Sequence, residues 1–536
     1  MLTSPRLALL ASVGAAALTS SAAAQSTADL FDLGEIVVEG SPDPTAPVSG
    51  YVAPTAQTAT KSGRPVLETA QSISVVTGEQ IEDQGATTLG DTLTYTSGVF
   101  AQPFGTDPRF DSPTIRGFDG SNAQYLNGLR ILRDFGAPSF EIYSLERIEI
   151  LKGPASVLYG SGIPGGVINQ VQKRAQPLSF GEVGVGFGDP QASEAFVDYN
   201  HRFSDTFSAR FTSVVRDSEE DIAELTNTRG YLGVATLWTP TPQTRLQFLG
   251  SFQQDNPITP TGAPTSLLGQ VDADRLRDFY FGDPTDDNSD RTTINLGFEF
   301  EHEFESAWTL NAGFRYQNFD WDYRGFFVQD PVPDLNTVNR GAIDQFEESE
   351  TYNLDLRLSR NFQTGPVNHD VLVGLDLRKY SFEDVSIFRT ADPISFLNPV
   401  YSGANVGAIT FTGANDLELE QFGLYLQDEM SFGNWRASLA LRRDWADQNG
   451  TTFSSLVGTV QVVDQSDTAT TGRAGLLYLF DNGMAPYVSY ATSFDPEIGS
   501  NIEGNQLEPT KGEQWEAGLK YEPPGVDAFS QRRSLT

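Results

Sequence analysis

Cysteine is absent from this chain, and histidine nearly so: His201, His302 and His369 are the only three in 536 residues. Without cysteine there is no disulfide framework, no thiolate metal site and no thiol nucleophile. The three histidines lie on separate segments with no partner at metal-ligand or triad spacing, which argues against a hydrolase or a metalloenzyme. Basic residues are also few, 35 Lys and Arg against 71 Asp and Glu, for a formal charge of −36. Such a chain repels phosphate backbones, so no nucleic-acid partner is expected. The acidic runs at Glu219-Glu220-Asp221, Asp286-Asp287 and Glu347-Glu348-Glu350 read as solvated loop faces. Long apolar runs are missing too. The longest, residues 7–18, is shorter than the roughly 20 residues a spanning helix needs. With Arg6 before it and Ala22-Ala23-Ala24 before Gln25, it reads as a signal peptide over residues 1–24.

Residues 145–173, LERIEILKGPASVLYGSGIPGGVINQVQK, are where the rest is organised. Ile148 and Ile150 share one face of a strand pattern, and Glu149 and Leu151 share the other. Gly153-Pro154 stops that run, because proline fixes φ and has no N–H to donate. A short apolar turn over residues 156–159 follows, then Gly160, Gly162, Gly165 and Gly166 around Pro164. The spacing GSGIPG imitates a dinucleotide fingerprint, which requires a helix after it. Pro164 and the β-branched Val167, Ile168 and Val171 exclude that helix.

This stretch resembles the end of the plug domain of TonB-dependent siderophore receptors of the bacterial outer membrane. Thr114-Ile115-Arg116-Gly117-Phe118 and Tyr125-Leu126-Asn127-Gly128 resemble two further plug signatures, in the same order and spacing. The resemblance implies an α+β plug domain inside an antiparallel transmembrane β-barrel, 22-stranded in the family. It places the chain in the outer membrane as a receptor for ferric siderophores, with no enzymatic activity, no cofactor and no metal held by the protein itself. The implied partners are TonB and its inner-membrane energising proteins, the lipid bilayer and the barrel-assembly machinery. Transporters of cobalamin or oligosaccharide, and a passive porin-like barrel, are the alternatives. The 256–284 loop resembles the ferrichrome-type branch.

Residues 25–60 are rich in Ala, Thr, Pro and Ser and should form a disordered periplasmic arm. Within it Glu35-Ile36-Val37-Val38-Glu39 is a lone β-prone island that resembles a TonB box, a strand for capture by a partner's sheet edge. Residues 61–176 should form the plug, with short helices after Thr77 and over residues 89–93. By resemblance its Gly-, Pro- and aromatic-rich loops face the outside, with Phe104, Arg109, Arg133 and Phe135 as the ligand-binding candidates. Arg116 is implied to stand in a strand as an ion-pair former.

From residue 177 to 536, segments of about ten residues alternate apolar and polar side chains, the signature of a membrane barrel. Ile294, Leu296, Phe298 and Phe300 alternate with Asn295, Gly297 and Glu299, for example. Only helices or closed sheets satisfy their backbone groups in lipid, and spanning helices are missing here. Trp308, Trp321, Tyr323 and Trp435 are the expected interfacial aromatics. About fourteen strands can be counted, and the tail after Pro523-Pro524 looks unpatterned. Fourteen strands would enclose a ring roughly 28 Å across, too narrow for a plug of roughly 34 Å. The expectation is therefore a C-terminally truncated receptor whose sheet is an open arc, with impaired import.

Overall fold

The computed structural model describes residues 43–536 except 106, 108, 189–191, 220, 221, 223, 404, 405, 498–506, 527 and 536. The signal segment and Glu35–Glu39 lie outside the described residues. Among the described residues, no helix is long and apolar enough to cross a membrane.

The plug holds eight short strands: β1 (Ser72–Thr77), β2 (Val99–Phe100), β3 (Thr114–Ile115), β4 (Phe118–Asp119), β5 (Gln124–Leu126), β6 (Leu129–Arg130), β7 (Leu145–Lys152) and β8 (Gly166–Gln172). Five of them form a sheet in the order β1-β7-β8-β5-β6. The Ile148/Ile150 face of β7 packs with Ile168, Leu126 and Leu93 in one core, and Leu151 packs with Val157 and Tyr159 in another. A strand buried on both faces still carries one charged pair: Arg147 meets Glu149 at 2.7 Å. Helix α1 (Gly78–Asp83) is capped by Thr77, whose hydroxyl accepts from the Gln80 amide. Helix α2 (Leu89–Leu93) starts in a reciprocal Thr88–Asp91 capping box. The apolar turn after Pro154 is a single helical turn, α3 (Ser156–Tyr159). Gly166 closes the motif at φ +143°, where a Cβ would lie 2.1 Å from the Leu151 carbonyl oxygen; no other residue fits.

Residues 44–60 correct the expected arm boundary. Ala53, Ala56, Thr58, Ala59 and Thr60 are buried, so the plug begins well before residue 61. Composition suggested disorder there, but small Ala and Thr side chains also suit a segment squeezed between two surfaces. Residues 66–77 form a 3₁₀ turn (Val66–Glu68) followed by β1.

Fifteen antiparallel strands form one sheet in sequence order: β9 (Phe180–Gly188), β10 (Ala192–Arg202), β11 (Phe207–Glu219), β12 (Thr226–Thr241), β13 (Thr244–Pro257), β14 (Asn288–Glu303), β15 (Trp308–Val328), β16 (Thr337–Thr364), β17 (Val367–Ser395), β18 (Val406–Phe432), β19 (Trp435–Ser454), β20 (Thr459–Tyr478), β21 (Met484–Asp495), β22 (Thr510–Tyr521) and β23 (Ser530–Leu535). Among the described residues β9 and β23 are its two edges, so the sheet is open as expected, with one more strand than counted. The extra strand is the tail itself, which pairs with β22 from Ser530↔Tyr521 to Leu535↔Glu516. Residues 324–345 are mostly strand, because β15 and β16 pair as far as Val328↔Arg340.

Polarity along the wall is the reverse of a water-soluble sheet. In β14, Leu296 and Phe298 are exposed while Arg291, Thr293 and Asn295 are buried; in β17, Val373 and Leu377 are exposed while Asp376 and Arg378 are buried. Apolar side chains facing outward and polar ones inward are what lipid on one side and a plug on the other require. Truncating Ile148 to Ala in the plug core should cost about 2–5 kcal/mol. A lower urea midpoint for protease resistance of the plug, with the wall unaffected, is the expected result.

Candidate ligand site at the plug loops

Phe104, Arg133 and Phe135 line one cavity of about 420 Å³, together with Phe110, Arg216 and Arg229. Three of the four expected residues are therefore brought together. Phe104 is 85% exposed at the mouth. Arg109 does not line the cavity but braces its floor: its guanidinium donates to Asp107 at 2.7 Å and to the Tyr323 hydroxyl at 2.8 Å. It also lies 4.7 Å from the Phe110 ring centroid. Burial opposes its charge, but the Asp107 carboxylate and the Tyr323 hydroxyl outweigh that and hold its pKa above the ordinary value.

The aromatic lining continues into the wall. Phe135 stacks on Trp321 at 5.8 Å, Trp321 stacks on Tyr323 at 4.8 Å, and Phe110 meets Phe135 edge-on at 5.5 Å. Trp321 and Tyr323 are each 2% exposed, which overturns their expected role as interfacial anchors. The reason is parity: they alternate with Asp320 and Asp322, whose side chains take the outward face, so the rings point inward. Trp308 has the opposite parity on the same strand, and Trp435, at the start of β19, is exposed on the outer face. Gly136, beside Phe135, sits so close to this ladder that a Cβ would meet Phe319 at 2.7 Å and Trp321 at 2.8 Å.

Charges tie the loops to the wall. Glu141 of the plug is fully buried and accepts from Arg216 at 3.0 Å, and Arg229 stands 3.5 Å away. Arg229 and Arg291 share Asp255, each at 2.7 Å. Burial would raise the Glu141 carboxyl, but the two arginines hold it below its usual value. Glu347, expected on a solvated loop face, is buried and accepts from the Gly136 amide at 2.6 Å. Arg116 lies in the turn between β3 and β4 rather than in a strand, at φ +54°, and pairs with Glu516 at 2.5 Å. Its role as an ion-pair former stands; its placement does not. Among the described residues, no group of three or more His, Cys, Asp or Glu is arranged to hold a metal ion.

Comparison with known proteins agrees with this architecture. A family model described as TonB-dependent receptor plug domain matches residues 65–167, and one described as TonB dependent receptor-like β-barrel matches residues 230–530. The ferrioxamine B receptor of Salmonella typhimurium is 35% identical over 481 residues, covering 87% of this chain and 67% of its own. The ferrioxamine receptor of Yersinia enterocolitica is 33% identical over 516 residues, covering 92% of this chain and 70% of its own. The pyoverdine outer-membrane receptor FpvA of Pseudomonas aeruginosa shares the fold, with a TM-score of 0.78 at 20% identity over 92% of this chain and 72% of its own. A plug seated against a wall of apolar-outward strands, matched by both family models, defines an outer-membrane β-barrel receptor. The chain belongs to the TonB-dependent receptor family.

Asp134, on the same loop as Arg133, gives the site a pH dependence. Burial first, and the Asp384 carboxylate second, raise its pKa to about 6. A raised carboxyl pKa adds stability that is complete below its unfolded value near 4 and lost as pH rises through about 6. Asp134→Asn should therefore match the unmutated chain in urea midpoint near pH 4 and become the more stable of the two by pH 7. Equal midpoints across that range would exclude this assignment.

Proposed function

We propose that the chain is a receptor that binds a ferric siderophore at the plug loops and imports it using energy delivered by the TonB complex. The observation that carries this reading is the cavity at Phe104, Arg133 and Phe135, backed by the Phe110–Trp321–Tyr323 ladder. A pocket that sets Phe104, Phe110, Phe135 and Phe140 among polar groups, with Arg133, Arg216 and Arg229 and the carboxylates Asp107, Asp111 and Asp119 in its lining, suits a bulky chelate with both apolar and oxygen-rich surface. The relatives named as ferrioxamine receptors support the same ligand class. Glu35, Ile36, Val37, Val38 and Glu39 are proposed as the segment through which TonB engages the arm. The protein moves its cargo and performs no chemistry on it; ferric iron arrives inside the chelate. A passive porin-like role is disfavoured, because a porin needs its lumen open and this wall is filled by polar contacts to the plug. Cobalamin and oligosaccharide remain the alternative cargo.

The test uses single purified ferric siderophores and the full chain. Changing Arg109 and Phe135 together to Ala should weaken binding of the cognate chelate at least tenfold, since both the aromatic stack and its brace are lost. Val37→Pro should leave that affinity unchanged while abolishing uptake. Unchanged affinity in the double variant would remove these residues from the site, and uptake at the unmutated rate in Val37→Pro would remove the coupling role.

A further inference from the structure

Residues 58–61 form a strap between plug and wall whose every carbonyl is held by a different side chain. The Thr58 carbonyl accepts from the Tyr159 hydroxyl at 2.9 Å, Ala59 from the Arg473 guanidinium at 2.6 Å, Thr60 from the Gln427 amide at 2.8 Å and Lys61 from the Arg357 guanidinium at 2.9 Å. Thr58, Ala59 and Thr60 are 0%, 1% and 1% exposed. Loops rarely run buried, because their backbone groups would go unpaired. Here the backbone is paired one carbonyl at a time from outside the loop.

The two ends of the strap face different bodies. Thr58 belongs to the plug: its amide and hydroxyl both donate to Glu149, at 2.9 and 2.6 Å, and its hydroxyl accepts from Asn169 at 3.0 Å. Glu149 lies on β7, Tyr159 on α3 and Asn169 on β8, so the three elements of the 145–173 motif converge on this one threonine. Lys61 belongs to the wall: its ammonium pairs with Asp355 of β16 and donates to the Tyr425 hydroxyl of β18 at 3.1 Å. Lys61 itself is left-handed, at φ +56°, and ends the strap in a tight turn closed by its amide on the Gln57 carbonyl at 2.7 Å. Ahead of the strap, the bonds from Gly50 to Glu79 and from Tyr51 to Asp83 lie at the exposed surface, while the Thr77 hydroxyl donates to the Gly50 carbonyl at 2.8 Å and the Val66 amide to the Pro54 carbonyl at 2.9 Å.

We propose that Thr58–Lys61 is the latch through which transport force reaches the plug, resting on the TonB-energised import proposed above and naming the residues that carry that force. At rest the latch ties the plug to strands β16, β18 and β20. Tension applied through the arm strips the exposed bonds first and then meets the strap, where several buried, partly charge-assisted hydrogen bonds share the load. From Thr58 the force passes directly to Glu149, Tyr159 and Asn169, and so to the centre of the plug sheet. The latch thus converts a pull on the arm into displacement of β7 and β8, rather than into simple extension of residues 44–57.

The experiment pulls the full chain by its N-terminus at constant force while the wall is held in a lipid bilayer. The unmutated chain should show a resisting event at the strap, before residues beyond Ser72 are released. Thr58→Val keeps the side-chain shape and removes the hydroxyl's bonds to Glu149 and Asn169. It should shorten the lifetime of that event about tenfold, the order expected when a charge-assisted hydrogen bond is lost. Thr58→Ser should restore the lifetime, and neither variant should change chelate affinity, while import by Thr58→Val should fall. Should Thr58→Val fold poorly, Gln427→Ala loosens the strap from the wall side and should shorten the same lifetime. An unchanged lifetime in the variants, or release of residues beyond 72 with no event at the strap, would overturn the proposal. Failure of the unmutated chain to import any chelate would count against the import reading alone, since the force measurement needs no ligand.

Discussion

Everything in this molecule follows from which way the wall turns its polar side chains. A strand that meets lipid on one face must place its apolar residues there, so its polar residues are left for the other face. Leu296 and Phe298 face out, and Arg291 and Asn295 of the same strand face in. An inward face of this kind cannot hold a plug by hydrophobic contact over most of its area. Guanidinium groups, carboxylates and amides hold it instead. Arg315 of the wall donates to the Leu126 and Arg130 carbonyls at 3.0 and 2.6 Å, and Lys520 donates to the Val66 and Thr69 carbonyls at 2.6 and 2.7 Å. Within the wall itself, Arg442 stands fully buried between Asp376 and Asp444.

That choice of interaction has an energetic consequence. Burying charges costs several kcal/mol of desolvation for each ion, and good pairing offsets most of it without a large surplus. A plug tied to its wall in this way is specific in register yet poised to be released. The plug itself is different: Ile148, Ile150, Ile168 and Leu126 form an ordinary apolar core, so its own cohesion does not rest on its contacts to the wall. The aromatic cavity lies where the plug loops meet the inward-facing rings Trp321 and Tyr323; elsewhere the wall also turns Tyr380 and Phe382 inward, against Leu132 of the plug.

The sequence announces the periodic parts of this design and conceals the convergent ones. Alternation along β14, β16 and β17 is visible because period two is a local property of the chain. The plug motif is legible for the same reason, since proline, glycine and β-branched residues act on their neighbours. Trp321 and Tyr323 were misplaced because aromatic rings near strand ends are common at membrane interfaces, and only the parity of the whole strand reveals the face. The strap was hidden in an Ala- and Thr-rich stretch that composition reads as disorder. Its partners stand far away in sequence, from Glu149 to Arg473, and no local pattern marks a backbone that distant side chains will pair. Ser530–Leu535 was missed because a strand with arginines on it carries little hydrophobic alternation; pairing with β22 defines it.

The central claim is that plug and wall are separate bodies joined mainly by polar contacts. Amide hydrogen exchange of the full chain in a lipid bilayer, followed through a urea series, tests it directly. The account predicts that the amides of β7 and β8 lose protection together at a urea concentration where β14 to β18 remain protected. Loss of protection in the plug and the wall in one shared transition would contradict it.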